Sequence, residues 1–456
     1  MHTMSNKNSD KRIYTLSEEA PAKAVVKMGV PLIAGMFIMV LYNLVDTYFI
    51  GLTHDDYQLA AVNLAYPVMM VMIAISNMVG TGASSLIARC LGAVDSEKAR
   101  HTLTAGFVLT VLNSLLVMAV GLLFLTTIVK GLGAKDNTFA YTKQYVQILL
   151  FGSIFTMGNY SFGQFLRSEG SVTYSIAGMI VGTIVNIVLD PLFIFTFGLQ
   201  IRGAAIATII GNGAGMAASL FFYLSGKTLL TPSAKYIIPK AKILGEIYWV
   251  GIPASLETLL SSAAFIVNNN LAVAYGELTV AAMGIAQKLL SLGNYIYQGF
   301  AVGTQPLMGY NYGAGNYPRM KSILKAGVAI VTCTELVLMV LYGALAPLLI
   351  GIFSESEKVI KIGARVLRNI MFILPFVGTV SMCRMSFQAM GKPIYAFCIT
   401  LVRQLILYIP LLLVLNSLFG FGGMIKDQPI TEAVMMTVSL VLLYRFISAR
   451  EREERS

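Results

Sequence analysis

Along this chain the apolar residues gather into roughly twelve segments separated by short polar turns. They lie near 25–50, 58–82, 103–128, 142–164, 173–197, 202–224, 247–273, 280–308, 325–350, 364–388, 394–418 and 431–447. Most reach the roughly 20 residues a helix needs to cross a bilayer core. The last is the shortest, because Lys426, Asp427 and Glu432 crowd its start and leave an apolar run only from Ala433 to Phe446. The pattern predicts an all-α polytopic membrane protein of twelve transmembrane helices.

Sliding the chain along itself by about 222 residues superimposes its features. Gly29-Val30-Pro31 falls on Gly251-Ile252-Pro253, and Val79-Gly80-Thr81 on Val302-Gly303-Thr304. Gly92-Ala93 falls on Gly313-Ala314, Asp95 to Arg100 on Asn316 to Lys321, and Phe165 to Gly170 on Phe387 to Gly391 with a one-residue gap. An offset of six segments, an even number, makes both halves enter the membrane from the same side, so the repeat is parallel. The expected organisation is a cytoplasmic tail (1–20), an N-lobe of six helices (21–224), a polar cytoplasmic linker (225–246), a C-lobe of six helices (247–447) and a cytoplasmic tail (448–456). Two such pseudo-twofold bundles suit a carrier that exposes a central site alternately to each side.

Composition narrows the class. Of 456 residues, 56% are hydrophobic and 12% charged, too few charges to cover a soluble protein of this size. The net charge of +11 has no solvated domain on which to form a nucleic-acid surface, and it reads as membrane orientation. With the N-terminus inside, 22 Lys and Arg fall in inner loops and tails and 9 in outer loops, while Lys288 and Arg403 lie within segments. The first 20 residues lack the apolar run of a cleaved signal peptide. A multi-pass membrane protein with both termini cytoplasmic is expected.

Candidate chemistry is sparse. Cys90, Cys333, Cys383 and Cys398, and His2, His54 and His101, are scattered, which supports neither a disulfide framework nor a zinc site. Gly226-Lys227-Thr228 lacks the earlier glycine of a P-loop, and Gly211, Gly213 and Gly215 sit within a helical segment, where they read as close helix packing. No ATP, cofactor or enzymatic constellation is expected, so uphill transport must draw on an ion gradient.

Carboxylates inside membrane segments are expensive enough to mark function. Asp46, Asp190, Glu257 and Glu335 qualify. Asp46 and Asp190 lie roughly 8 to 12 Å from the outer surface by helical rise, with Thr208 at similar depth. Asn186 is one turn from Asp190, and Asn43 one turn from Asp46. Such a set can bind Na⁺ through oxygens, hold a proton, or satisfy a neighbouring helix. Glu257, four residues after Pro253, can bind a cationic substrate or pair with a base such as Arg403. Glu335 reads as a polar residue beside lipid or a partner, and Arg384 as a snorkelling side chain. Pro31 and Pro253 permit kinks in the first segment of each half. The eighth segment, with Gln287, Asn294, Tyr295, Tyr297, Gln298 and Gln305, is polar enough to line a wet cavity. Met and aromatic side chains near such a cavity would suit flat, greasy cations.

The chain resembles the multidrug and toxic compound extrusion (MATE) family, most of all its bacterial MepA- and DinF-like members. The resemblance rests on Val45-Asp46-Thr47-Tyr48-Phe49-Ile50-Gly51 after Pro31, on Ala88 to Ala93, on Asn186 to Pro191 with Gly203 to Thr208, and on Pro306 to Gly315. It implies twelve helices in two lobes forming a V, a monomer in the bacterial cytoplasmic (inner) membrane, and antiport of organic cations or amphipathic drugs against Na⁺ or H⁺. It also implies coupling at Asp46, Asn186, Asp190 and Thr208, which would be the Na⁺ ligands if Na⁺ is the ion, with bending at Pro31. NorM-like members stress an acid matching Glu257 together with an acid in the tenth helix, where this chain has none. A major-facilitator-like carrier or a lipid-linked sugar flippase is the rival reading.

Overall fold

The computed structural model describes residues 11–52 and 55–455. Within its helices, the side chains of residues 41–44, 46–48, 51, 56, 136, 259, 261–266, 269, 270, 273, 277, 454 and 455 lie outside that description. Among the described residues there is no strand. After a short helix over 11–17, the first half contains α1 (Pro21–Gly51), α2 (Asp56–Gly92), α3 (Ser96–Leu123), the short α4 (Leu125–Gly131), α5 (Asp136–Phe151), α6 (Ser153–Ser168), α7 (Val172–Pro191) and α8 (Gln200–Leu224). The second half contains α9 (Ala241–Val273), α10 (Glu277–Gly313), α11 (Tyr317–Gly351), α12 (Glu357–Ile370), α13 (Leu374–Ala389), α14 (Pro393–Leu401), α15 (Ile409–Phe419), α16 (Phe421–Met424) and α17 (Asp427–Arg455). α7 runs on as a wider π-turn over Leu192–Thr196, and a second π stretch, Val402–Tyr408, joins α14 to α15. α17 continues helical through 448–455, the stretch that the sequence marks as a tail.

Among the described residues nine helical stretches are long and apolar enough to cross a bilayer. The three expected segments outside that set have particular features. Segment 142–164 is divided at Gly152 into α5 and α6, each of 16 residues. Segment 247–273 includes side chains outside the description. Segment 280–308 lies in α10, whose Gln287, Lys288, Asn294, Gln298 and Gln305 dilute its apolar character.

The duplicated sequence has a duplicated backbone. After α2, the Ala93, Val94 and Asp95 amides bond back to Arg89, Leu91 and Cys90; after α10, those of Ala314, Gly315 and Asn316 bond to Tyr310, Tyr312 and Asn311. Asp95 then caps α3 through the Lys98 N–H at 3.0 Å, and Asn316 caps α11 through the Arg319 N–H at 3.2 Å. The one mismatch is steric. Gly315 takes the left-handed conformation (φ 68°) at no cost, while Val94 takes it (φ 59°) with a β-branched side chain.

The helices sort into two compact units. One holds the described part of Met1–Leu16 with Ala34–Ser255; the other holds Ser17–Ile33 with Leu256–Ser456. The first part of α1 therefore packs with the second half of the chain, and the first part of α9 with the first half. Each helix changes unit two residues after its proline, Pro31 or Pro253.

The contacts within each unit explain the exchange. In the first unit, a Cβ at Gly251 would overlap the Met78 carbonyl, and Ile243 and Ile247 join a core with Val79, Leu86, Leu103 and Phe165. In the second, a Cβ at Gly29 would overlap the Phe300 ring, and one at Gly303 would come within 2.8 Å of the Gly29 nitrogen. Met78 and Phe300 are 222 residues apart, so the two crossings are copies of one contact. Salt bridges fasten the start of each exchanged helix. Lys98 Nζ meets Glu246 at 2.8 Å in the first unit, and in the second Lys27 meets Glu19 at 2.9 Å while Arg319 donates to the Glu19 carbonyl at 2.8 Å.

The linker is tied to the first unit. Glu169, in the turn between α6 and α7, accepts from the Leu230 N–H at 2.9 Å; Thr104 Oγ1 accepts from Ser233 N–H at 3.1 Å, and His101 Nε2 from Lys240 N–H at 3.3 Å. Burial pushes the Glu169 carboxyl up from an ordinary 4.5 to about 7, against the opposing pull of the Leu230 N–H, the Arg12 guanidinium and the Ser171 hydroxyl.

Two measurements follow from these features. Val94→Gly relieves the left-handed valine and should raise thermal stability in detergent by about 1 kcal/mol, whereas Gly315→Val should lower it. Glu169 has its folded-state pKa raised, so its contribution to stability is complete below pH 4.5 and is lost as pH rises through about 7. Thermal unfolding across that window should show a loss of up to roughly 3 kcal/mol that Glu169→Gln flattens.

Candidate functional site

In the first unit α7 and α8 lie almost backbone to backbone. A Cβ on Gly182 would come within 2.8 Å of the Gly211 carbonyl, and one on Gly211 within 2.7 Å of the Asn186 Cβ. That closeness brings Asn186 and Asp190 of α7 against Thr208 of α8, all three buried. Placed so that both its ends are satisfied, the Asn186 amide donates to Asp190 Oδ2 at 3.0 Å and its oxygen accepts from the Thr208 N–H at 3.1 Å. The Thr208 hydroxyl has no hydrogen-bond partner among the described residues. Asp46 and Asn43 belong to α1, and their side chains lie outside the described residues.

The sequence reading missed the polar groups that extend this cluster. Asn212, one turn beyond Thr208, donates to the Thr208 carbonyl at 3.0 Å and accepts from Asn159 of α6 at 3.0 Å. Farther along, Gln164 Nε2 donates to Asn77 at 3.0 Å and Ser76 meets Ser161 at 2.8 Å, which joins α2 to α6. The Thr208–Asn212 spacing was the available signal, since residues four apart share a face.

The second unit contains a separate set of charges. Glu257 of α9 pairs with Arg384 of α13, and Gln388, one turn on, donates to the same carboxylate oxygen at 3.0 Å. Arg403 instead pairs with Glu432 at 2.8 Å. This corrects two expectations: Arg403 is not the counter-charge of Glu257, and Arg384 does not snorkel but turns inward. The tenth predicted segment thus supplies Glu257 with a cation and an amide. Glu335 also departs from its expected place beside lipid or a partner, being fully buried. In α10, Tyr297 is buried inside the unit, whereas Gln287 and Asn294 are half-buried. Among the described residues no group of three His, Cys, Asp or Glu could hold a metal ion.

A family model described as MatE matches the chain twice, over residues 31–192 and 253–414. The matches begin at Pro31 and Pro253, in the same frame as the internal repeat. The chain belongs to the MatE family. It is a polytopic membrane transporter, not an enzyme. Among its relatives, the multidrug export protein MepA of Staphylococcus aureus is 28% identical over 435 residues, covering 95% of this chain and 96% of that protein. MepA of Staphylococcus saprophyticus is 29% identical over 438 residues, with the same coverage. Of solved structures, a MATE protein in its bent conformation matches with a TM-score of 0.92 at 27% identity, covering 98% of this chain and 99% of that one. A MOP-superfamily transporter from Pyrococcus furiosus, described as having a binding pocket of reversed polarity, matches with a TM-score of 0.91 at 27% identity, covering 97% and 99%. The MATE fold, with its two pseudosymmetric halves, is therefore the fold of this chain.

Breaking the buried ion pair from one side leaves an uncompensated charge. Arg384→Gln should cost about 3–5 kcal/mol, and the double variant Glu257→Gln with Arg384→Gln should recover most of it. A double-mutant cycle on thermal unfolding in detergent checks both.

Proposed function

We propose that this transporter is an efflux antiporter that exports organic cations or other amphipathic drugs in exchange for protons at Asp46 and Asp190, with Asn186 and Thr208 completing the site. The observation that carries the reading is the buried contact of Asn186 with both Asp190 and the Thr208 N–H. Asn186 bridges α7 to α8 while its amide donates to Asp190. A proton on Asp190 removes the charge that strengthens that bond, so protonation is felt at the joint between the two helices. The family match, and the relatives named as multidrug export proteins, support the drug-efflux class over a lipid-linked sugar flippase or a major-facilitator-like carrier.

A proton suits the described groups better than Na⁺. A hard cation is held by several oxygens, whereas a proton needs only the Asp190 carboxylate, to which the Asn186 amide donates while its oxygen accepts from the Thr208 N–H. Pro31 serves as the bending point of α1, a role supported by the change of unit two residues after it. Glu257, engaged by Arg384, reads as a positioning residue, and the half-buried Gln287 and Asn294 form the candidate substrate wall of α10, with Tyr297 buried behind them.

The topology we propose has twelve spans, with α5 and α6 acting as one through Gly152. Both tails (1–20 and 448–456) and the linker 225–246 are cytoplasmic, the lobes are 21–224 and 247–447, and the protein works as a monomer. Hydrogen bonds continue through the Gly152 break, from Gly152 N–H to the Ile148 carbonyl and from Thr156 N–H to the Gly152 carbonyl.

Ethidium efflux from proteoliposomes, with pH and Na⁺ gradients imposed separately, tests the reading. A pH gradient alone should drive efflux, and Asp46→Asn and Asp190→Asn should each abolish it while still inserting normally. Full activity in both variants overturns the site, and drive by Na⁺ alone overturns the choice of ion.

A further inference from the structure

Glu335 occupies the middle of α11, 18 residues after Tyr317 and 16 before Gly351, or about 27 and 24 Å from the two ends at 1.5 Å per residue. It is completely buried, and neither carboxyl oxygen accepts a hydrogen bond among the described residues. The backbone of Tyr297 on α10 faces it without meeting hydrogen-bond geometry. Gly293, one turn earlier on α10, leaves the room it fills: a Cβ there would stand 3.8 Å from Glu335 Oε2. α13 closes the site through Leu374, which abuts Gly293, and through Gly378, where a Cβ would come within 2.9 Å of the Tyr297 Cβ.

The charged and titratable groups around it are committed elsewhere. From α10 it faces Tyr297, and along its own helix Tyr342, whose hydroxyl donates to the Leu289 carbonyl at 3.0 Å. Arg384 of α13 is paired with Glu257, and Glu432 of α17 with Arg403. Arg368 of α12 donates its Nε to the Gly343 carbonyl at 3.1 Å. An isolated carboxylate in so dry a place would carry a prohibitive desolvation cost, whereas a carboxylic acid carries a small one.

We propose that Glu335 is a second proton-binding site, built into the second unit and separate from Asp46 and Asp190. The O–H bond of its acid stays intact while the site is dry. In any state that admits water the bond breaks, the proton passes to water and the carboxylate remains, hydrated. The transporter would then hold protons in both halves, on helices that are not repeats of one another: α1 and α7 in the first and α11 in the second. The inference does not depend on the reading of Asp190, because it rests on burial and isolation within the second unit alone.

The test uses the full-length protein in liposomes. Infrared spectra at neutral pH should contain the C=O band of a buried carboxylic acid that Glu335→Gln removes and Asp190→Asn leaves in place. Glutamine has the shape of the protonated acid, so Glu335→Gln should keep the wild-type thermal midpoint while losing ethidium efflux driven by a pH gradient. An unchanged carboxylic-acid band in Glu335→Gln overturns the proposal. So does a lowered thermal midpoint, which would reveal an ionised carboxylate with a partner, and so does undiminished proton-driven efflux.

Discussion

An acid inside a dry helix bundle needs a counter-charge, a set of donors or a proton, and that demand sorts the buried carboxylates of this molecule. Glu257 takes Arg384 and Gln388, and Glu432 takes Arg403. Asp190 takes the amide of Asn186. Glu19, buried just before α1 begins, takes Lys23 and Lys27. Glu335 is left with the third option. Among the described residues, Glu257 and Glu432 of the second unit each take an arginine, whereas Asp190 of the first takes an amide and Glu169 a backbone N–H and a hydroxyl: the two halves share a backbone plan but satisfy these carboxylates with different chemistry.

Close packing makes these arrangements specific. α7 and α8 can bridge through one asparagine because Gly182 and Gly211 let their backbones meet. A larger side chain at Gly211 would displace the group that connects Asp190 to Thr208. The crossings at Gly251 and Gly29 follow the same logic, since a methyl group would overlap the Met78 carbonyl at the first and the Phe300 ring at the second. The prolines that follow each crossing remove a backbone hydrogen bond where the helix leaves one set of neighbours for the other.

Much of the fold was legible because bilayer thickness imposes a length on every span and duplication repeats every turn. The loops at Asp95 and Asn316, paired by sequence alone, have matching hydrogen bonds. Asn186, Asp190 and Thr208 were legible as a group because two are one turn apart and the third lies at the same depth. Partners were harder. Arg403 stood as one candidate partner of Glu257, and Arg384 at the lipid boundary, because depth along a helix can be counted but its facing cannot. A two-residue error in where a helix begins turns its face by about 200°. Glu335 was misplaced for that reason, and Asn159 was overlooked because nothing in sequence ties α6 to α8. The exchange of the first parts of α1 and α9 was invisible, since a repeat reveals which segments correspond and not which ones touch.

That exchange bears on how such a chain could arise and assemble. A single copy of the repeat would leave the surface beside Met78 uncovered and the first part of its own first helix without a seat. Two copies fill each other's grooves, so the contact at Gly251 and its counterpart at Gly29 would make an ancestral pair of identical chains mutually dependent before any fusion joined them. In the fused chain the dependence becomes one of timing: α2 to α8 leave the ribosome before the Ala241–Ser255 segment that completes their core.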